Sequence, residues 1–262
     1  MCETCGCGNT EGFIIHDPHN GPEHDHGHEH SHSHEHSSPP EHKHQKTIDL
    51  GLDIMERNNI NASMNRRFFE GRKVLCLNMV SSPGSGKTTI LEKTIQHLSP
   101  EMKVYVIEGD QQTAIDAGRI EKAGVPAVQI NTGSGCHLDA HMIDHALEKL
   151  DIETGSVLFI ENVGNLVCPA MFDLGESKRV LVISVTEGED KPLKYPLMFE
   201  TSHLCIINKS DLLPYVDFRE EEFVKNARQV NPNLEFITMS ATREDGTGLW
   251  YSWIREHSGT VK

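Results

Sequence analysis

The chain has 262 residues and carries 39 Asp and Glu against 24 Lys and Arg, a formal charge of −15 with histidine neutral. That acidity argues against a protein held chiefly by nucleic-acid phosphates, and no apolar run approaches the roughly 18 residues needed to span a bilayer. The start, MCETCGCGNTEG, lacks the basic and apolar parts of a signal peptide, so a cytoplasmic location is expected, with the seven cysteines reduced or metal-bound.

Three regions follow in order. Residues 1–15 hold a cysteine cluster. Residues 16–46 contain no Ala, Val, Ile, Leu, Met, Phe, Trp, Tyr or Cys, and eleven of the seventeen histidines fall between His16 and His44. A stretch without apolar side chains cannot offset its own chain entropy, which predicts a disordered, His-rich segment. Residues 47–262 are a fitting size for one α/β domain. Thr47 reads as the N-cap of a first helix with Ile48, Leu52 and Met55 on one face. Apolar runs then predict strands at Val74–Val80, Val104–Glu108, Ala127–Ile130, Val157–Glu161, Val180–Val185, Leu204–Asn208 and Leu234–Met239. Between them, helical patterns cover Gly86–Leu98, Thr113–Ala123, Leu138–Leu150, Phe218–Val230 and Leu249–His257. Near-continuous apolar strands alternating with helices predict an α/β fold, a mainly parallel sheet with helices on both faces.

The first of these strands runs into Ser81-Ser82-Pro83-Gly84-Ser85-Gly86-Lys87-Thr88-Thr89 and then a helix. Strand, Gly-rich loop and helix are the context of a P-loop NTPase, whose backbone N–H groups and helix N-terminus cradle phosphate. Lys87 would reach the β/γ-phosphates and Thr88 would bind Mg²⁺. Ser81 stands where the motif has its first glycine. Position 82 is Ser, not the second lysine of one ATPase variant. Further on, a strand ends in Asn208-Lys209-Ser210-Asp211. A carboxylate at Asp211 can accept from both guanine N1–H and the 2-amino group, which adenine lacks, so guanine is the expected base. Ser240-Ala241 fits the loop that meets the guanine carbonyl. Asp110 and Glu161 sit at strand C-terminal ends, where parallel sheets line their ligand crevice. Asp110 is expected to orient water or Mg²⁺, and Glu161-x-x-Gly164 to sense the γ-phosphate, making both loops switches.

Together with Cys2-x-x-Cys5-Gly6-Cys7, Gly133-Ser134-Gly135-Cys136-His137 and Glu161-Asn162-Val163-Gly164-Asn165-Leu166-Val167-Cys168-Pro169, these motifs resemble the G3E metallochaperone GTPases. They look specifically like the HypB family, the GTPases of hydrogenase nickel incorporation. The Cys-Pro-His triplet of the urease-maturation relatives is absent. The resemblance implies a GTPase that uses GTP/GDP and Mg²⁺ and forms a nucleotide- or metal-linked homodimer, and slow turnover is expected because no arginine stands out as a stimulating finger. It also implies work with a HypA-type nickel chaperone and the hydrogenase large subunit, while the acidity and the lack of a long apolar run make neither nucleic acid nor membrane an expected partner.

Three regions offer metal ligands. Cys136, His137 and Cys168 lie beside the expected switches, and thiolate with imidazole suits Ni²⁺ or Zn²⁺. From the residues alone the two cysteines could equally be small core side chains, whereas the resemblance matches them to a switch-coupled metal site. His141 and His145 continue a four-residue spacing, either extending that site or forming a solvated helix face. Cys76 and Cys205 fall mid-strand and read as core. Cys2, Cys5 and Cys7 are spaced too tightly for stapling disulfides but can enclose one ion, Ni²⁺ by resemblance, with Zn²⁺ also able to bind. His24, His26, His28, His30, His32, His34 and His36 alternate with small or acidic residues, a polymer of weak ligands suited to nickel storage. The expected function is a GTP-hydrolysing nickel metallochaperone for [NiFe]-hydrogenase. The alternatives are a nickel store or a maturation GTPase for another nickel enzyme such as urease.

Overall fold

The computed structural model describes residues 14–16, 43–110, 124–133 and 135–259, with side chains from Asp53 onward. Cys2, Cys5, Cys7, the His24–His36 tract, Ser134 and the Thr113–Ala123 helix lie outside the described residues.

Eight strands form one sheet: β1 (Ile14–His16), β2 (Leu75–Ser81), β3 (Val104–Asp110), β4 (Ala127–Asn131), β5 (Val157–Glu161), β6 (Lys178–Ser184), β7 (Leu204–Asn208) and β8 (Glu235–Thr238). Their spatial order is β1-β4-β3-β5-β2-β6-β7-β8. Seven run parallel, and β1 alone is antiparallel, pairing Ile15 with Ile130 of β4. Every residue of β2, β5 and β7 is buried. That burial on both faces is why these strands read as unbroken apolar runs.

The helices described are α1 (Lys43–Gly71), α2 (Lys87–Leu98), α3 (Ala140–Leu147), α4 (Cys168–Met171), α5 (Lys191–Lys194), α6 (Pro196–Glu200), α7 (Glu220–Val230) and α8 (Thr247–His257). On one face α2 and α8 press Ile90, Leu91, Ile95, Trp250 and Ile254 onto Leu77, Met79, Val106 and Phe159. On the other, α1 and α3 bring Phe69, Ile143 and Leu147 against Cys76, Ile107 and Leu158. A third cluster joins Met198, Phe199 and Phe223 of α6 and α7 to Leu181, Ile183 and Ile207.

Helix α1 begins at Lys43, so Thr47 is not its N-cap. Lys43, His44, Gln45 and Lys46 tolerate helix well, and no proline or glycine stops the helix from running back past Thr47. Among the described residues no helix is long and apolar enough to cross a membrane, α1 being too polar despite its 29 residues. Instead α1 braces the loops around α3 and α4. Asn58 accepts from Ala140 N at 2.9 Å and donates to Asp173 O at 2.9 Å. Asn65 donates to Ala140 O and Leu174 O, and Arg66 pairs with both oxygens of Asp173 at 2.8 Å.

The chain builds outward from β2 to one side through β5, β3 and β4, and to the other through β6, β7 and β8. The crevice beyond the strand C-termini therefore opens next to β2, where a ligand of an open parallel sheet binds.

Candidate functional site

The loop after β2 spans Ser82 to Gly86 and delivers Lys87, Thr88 and Thr89 to the first turn of α2. Gly84 and Gly86 have φ of 74° and 101°, which l-residues with side chains rarely adopt. At Gly86 a Cβ would also lie 2.5 Å from Asn208 Nδ2. Glycine is demanded there twice, by backbone angle and by neighbour. The departure at Ser81 has a use: its Oγ accepts from Lys87 Nζ at 2.7 Å and donates to Ser82 O at 2.6 Å. The buried ammonium is thereby held at the loop.

Three further segments leave the sheet at the same edge as this loop. Glu161, the last residue of β5, accepts from Thr88 Oγ1 at 2.6 Å. Gly164, three residues on, rests against Pro83, its Cβ position 3.1 Å from Pro83 Cα. Asp110 ends β3, two residues past Glu108, which is the register partner of Glu161. The third segment follows β6, where Glu187 accepts from Ser82 Oγ at 2.6 Å, Ser85 Oγ at 2.8 Å and Ser184 N at 2.9 Å, and pairs with Lys191 at 3.3 Å. Sequence reading passed over Glu187, which lies three residues beyond the end of β6, on the edge of the sheet where Asp110 and Glu161 end their strands.

The Asn208-Lys209-Ser210-Asp211 segment closes the loop from the other side. Asn208 Nδ2 donates to Ser85 O at 2.9 Å, and its Oδ1 accepts from Ala241 N at 3.2 Å. Lys209, at φ 63°, donates from Nζ to Gly84 O at 2.7 Å. Asp211 accepts from Ser240 Oγ at 2.5 Å, which fixes its carboxylate. The residues Ser82 to Thr89, Asn208, Lys209, Asp211, Ser240 and Ala241 thus form one continuous rim, which Glu161 and Gly164 also touch.

A separate cluster lies on two neighbouring segments. Ligand atoms of Cys136, His137 and Cys168 all fall within 4.8 Å of one another. Cys136 Sγ is 3.9 Å from His137 Nδ1, and the His137 ring stacks on Phe172 at 4.0 Å. Burial lowers the pKa of His137, which favours the neutral, ligand-competent imidazole. Cys168 opens the short helix α4 and is buried, while Cys136 is partly exposed. Two thiols and an imidazole suit a borderline or soft divalent ion, and three ligands leave a coordination position open. His141 and His145 pack ring to ring at 4.4 Å on α3, and neither joins the group. Cys76 and Cys205 are fully buried in β2 and β7. Burial, reinforced by the charges of Glu176 and Glu187 respectively, pushes both thiols up, so they are inert core residues.

Residues 75–238 match the family described as CobW/HypB/UreG, nucleotide-binding domain. A hydrogenase maturation factor HypB of Azotobacter vinelandii is 57% identical over 208 residues, 79% of this chain and 69% of that one. The hydrogenase maturation factor HypB of Escherichia coli K12 is 45% identical across 97% of this chain and 98% of its own. The chain belongs to the HypB family. Among solved structures, HypB from Helicobacter pylori in complex with nickel superposes with a TM-score of 0.73 at 38% identity, covering 78% of this chain and 96% of that one. The HypB family membership and the P-loop geometry agree: the matched span contains the phosphate loop, the Cys136/His137/Cys168 group and the Asn208–Asp211 segment.

Proposed function

We propose that this chain is a Mg²⁺-dependent GTPase that delivers nickel during maturation of [NiFe]-hydrogenase. The observation carrying the proposal is the proximity of the Cys136/His137/Cys168 ligand atoms, all within 4.8 Å, on segments that adjoin the Glu161–Gly164 loop. In this reading nickel is cargo, collected by Cys2, Cys5, Cys7 and the His24–His36 tract and then held at the triad. The Thr88 hydroxyl and the Glu161 carboxylate, 2.6 Å apart, form an oxygen-only pair that suits a hard cation, so these residues would hold Mg²⁺. Mg²⁺ there supplies charge neutralisation to the transferring phosphoryl group. Lys87 neutralises the β/γ-phosphates, Asp110 positions water or the ion's shell, and Asp211 selects guanine. Loss of the γ-phosphate releases the Glu161–Gly164 loop, and the metal ligands that follow it at Cys168 rearrange. Names of relatives support hydrogenase as the recipient and nickel as the metal. Zn²⁺ suits the same donors.

Equilibrium dialysis of the full chain tests the metal half: Cys136→Ala and Cys168→Ala should each remove one equivalent of tightly bound nickel, and unchanged stoichiometry would reject the triad. The eleven histidines between His16 and His44 favour a second reading, a nickel store. Lys87→Ala separates the two. The delivery reading expects lost hydrogenase activity in cells with nickel content of the purified protein intact, and the storage reading expects no loss when nickel is plentiful.

A further inference from the structure

Successive residues at the end of β5 face opposite sides of the sheet, as strand geometry requires. Glu161 turns toward α2 and Thr88. Asn162 turns toward the metal triad. Its backbone N–H still bonds to Met79 O at 3.0 Å, so the two residues are held in one extended run.

The side chain of Asn162 is buried and both ends are engaged. Its Oδ1 accepts from Leu138 N at 3.2 Å, the residue directly after Cys136-His137, and from Val163 N at 2.9 Å. Its Nδ2 donates to Asn78 Oδ1 at 3.3 Å, and Asn78 Nδ2 donates to Glu176 Oε1 at 3.0 Å. Glu176 is locked to Arg179 by contacts of 2.9 and 3.0 Å, with both side chains 5% exposed. The other guanidinium N–H groups of Arg179 reach Ala170 O at 3.2 Å and Phe172 O at 3.0 Å, on and just beyond the helix that Cys168 opens. A single buried polar chain therefore joins the Cys136-His137 segment to the Cys168 segment, and its first member is bonded covalently to the residue that holds Thr88.

We propose that Asn162 is the positioning residue through which the state of the nucleotide site reaches the Cys136/His137/Cys168 triad, an inference that rests on the GTP-gated metal reading above. Gain or loss of the γ-phosphate shifts the Glu161–Gly164 loop, which contains Asn162, against the phosphate loop it touches. Asn162 then carries that shift to both metal-bearing segments, because one amide side chain accepts from one and donates toward the other. The amide of asparagine offers an acceptor and a donor on separate atoms, so each end can serve a different segment. Interior hydrogen-bond networks are stiff because an unpaired buried member is costly, so the displacement is passed on rather than absorbed locally.

Nickel affinity in two nucleotide states tests this. The full chain carrying Cys2→Ser, Cys5→Ser and Cys7→Ser keeps Cys136 and Cys168 as its ligand thiols, with Cys76 and Cys205 inside the core. Thiolate-to-nickel absorption then reports the triad alone, whatever the histidines bind. Ni²⁺ titration against a competing chelator, with Mg²⁺-GDP and with Mg²⁺ plus a non-hydrolysable GTP analogue, should give affinities that differ by about fivefold or more. Asn162→Asp keeps the acceptor for Leu138 and abolishes the donor to Asn78, and the ratio should collapse to near one. Asn78→Ser breaks the same chain without touching either metal segment, should do likewise, and decides the matter if Asn162→Asp no longer saturates. A merely structural role weakens binding equally in both states, so a parent-like ratio in the variants overturns the inference. Equal affinities in the parent reject the GTP-gated reading itself and the inference with it.

Discussion

Gly164 and Pro83 touch backbone to backbone: a Cβ on Gly164 would sit 3.1 Å from Pro83 Cα and 3.3 Å from Pro83 N. The loop that follows Glu161 is thus seated directly on the phosphate loop, with no side chain between them. Gly164→Ala should push the two apart by a few tenths of an ångström. Misplacement of catalytic groups on that scale costs rate far more than ground-state affinity, so hydrolysis should fall on the order of tenfold. Phosphate release measured beside GDP titration checks this. A GDP affinity reduced as much as the turnover would show that the contact shapes the whole loop and not the switch.

The proposed function assigns base selection to Asp211, whose carboxylate accepts from Ser240 Oγ. Asp211→Asn exchanges one acceptor for a donor and faces the guanine 2-amino group with an N–H. Discrimination built on paired polar groups reaches about 10⁴, so GDP affinity should drop by roughly two to three orders of magnitude. Xanthine carries a carbonyl at that ring position, and XDP should bind the variant better than GDP does. Competition between labelled nucleotides reads the order, and a variant still preferring GDP would remove Asp211 from the base site.

The sequence made the centre of the fold legible and left its margins obscure. Strands β2, β5 and β7 are buried throughout and have no polar face to confuse their pattern. The phosphate loop and Asn208–Asp211 were visible because their chemistry is local, several ligating groups within nine residues. Strand β1 was not, since three residues give no periodicity, and it meets β4 from more than a hundred residues away. The short helices α5 and α6 were missed because four or five residues cannot show a 3.6-residue repeat. The proline second in α5 and the proline first in α6 were their only signals. Asn162 and Glu187 act through partners distant in sequence, Asn78 and Ser82, so no spacing rule could expose what they do.

Helix α2, which carries the phosphate loop, is held to α8 by Trp250. The indole is fully buried and its Nε1 donates to Thr94 Oγ1 at 2.8 Å. Trp250→Ala removes that volume and leaves a cavity between the two helices and the sheet. Such truncations cost about 3–5 kcal/mol. Urea unfolding should show a loss of stability of that size, and Trp250→Phe a smaller one. A loss below about 1 kcal/mol would mean that α8 relaxes into the space.

His203 gives the domain a pH-dependent stability with a definite sign. Its Nδ1 accepts the Arg179 backbone N–H at 3.0 Å, a bond that requires Nδ1 unprotonated. Partial burial, followed by the charges of Lys178 and Arg179, lowers its pKa against the opposing pull of Glu176 and Glu235. The unfolded chain therefore takes up this proton first as pH falls below the ordinary histidine value of roughly 6.5. Stability from this group is complete above that value and is lost as pH descends toward the lower folded pKa. His203→Asn keeps an acceptor for Arg179 N–H and cannot be protonated. The denaturant midpoint should fall from pH 7.5 to pH 5.5 in the native chain and fall less in His203→Asn. Identical slopes would assign the acid sensitivity to other groups.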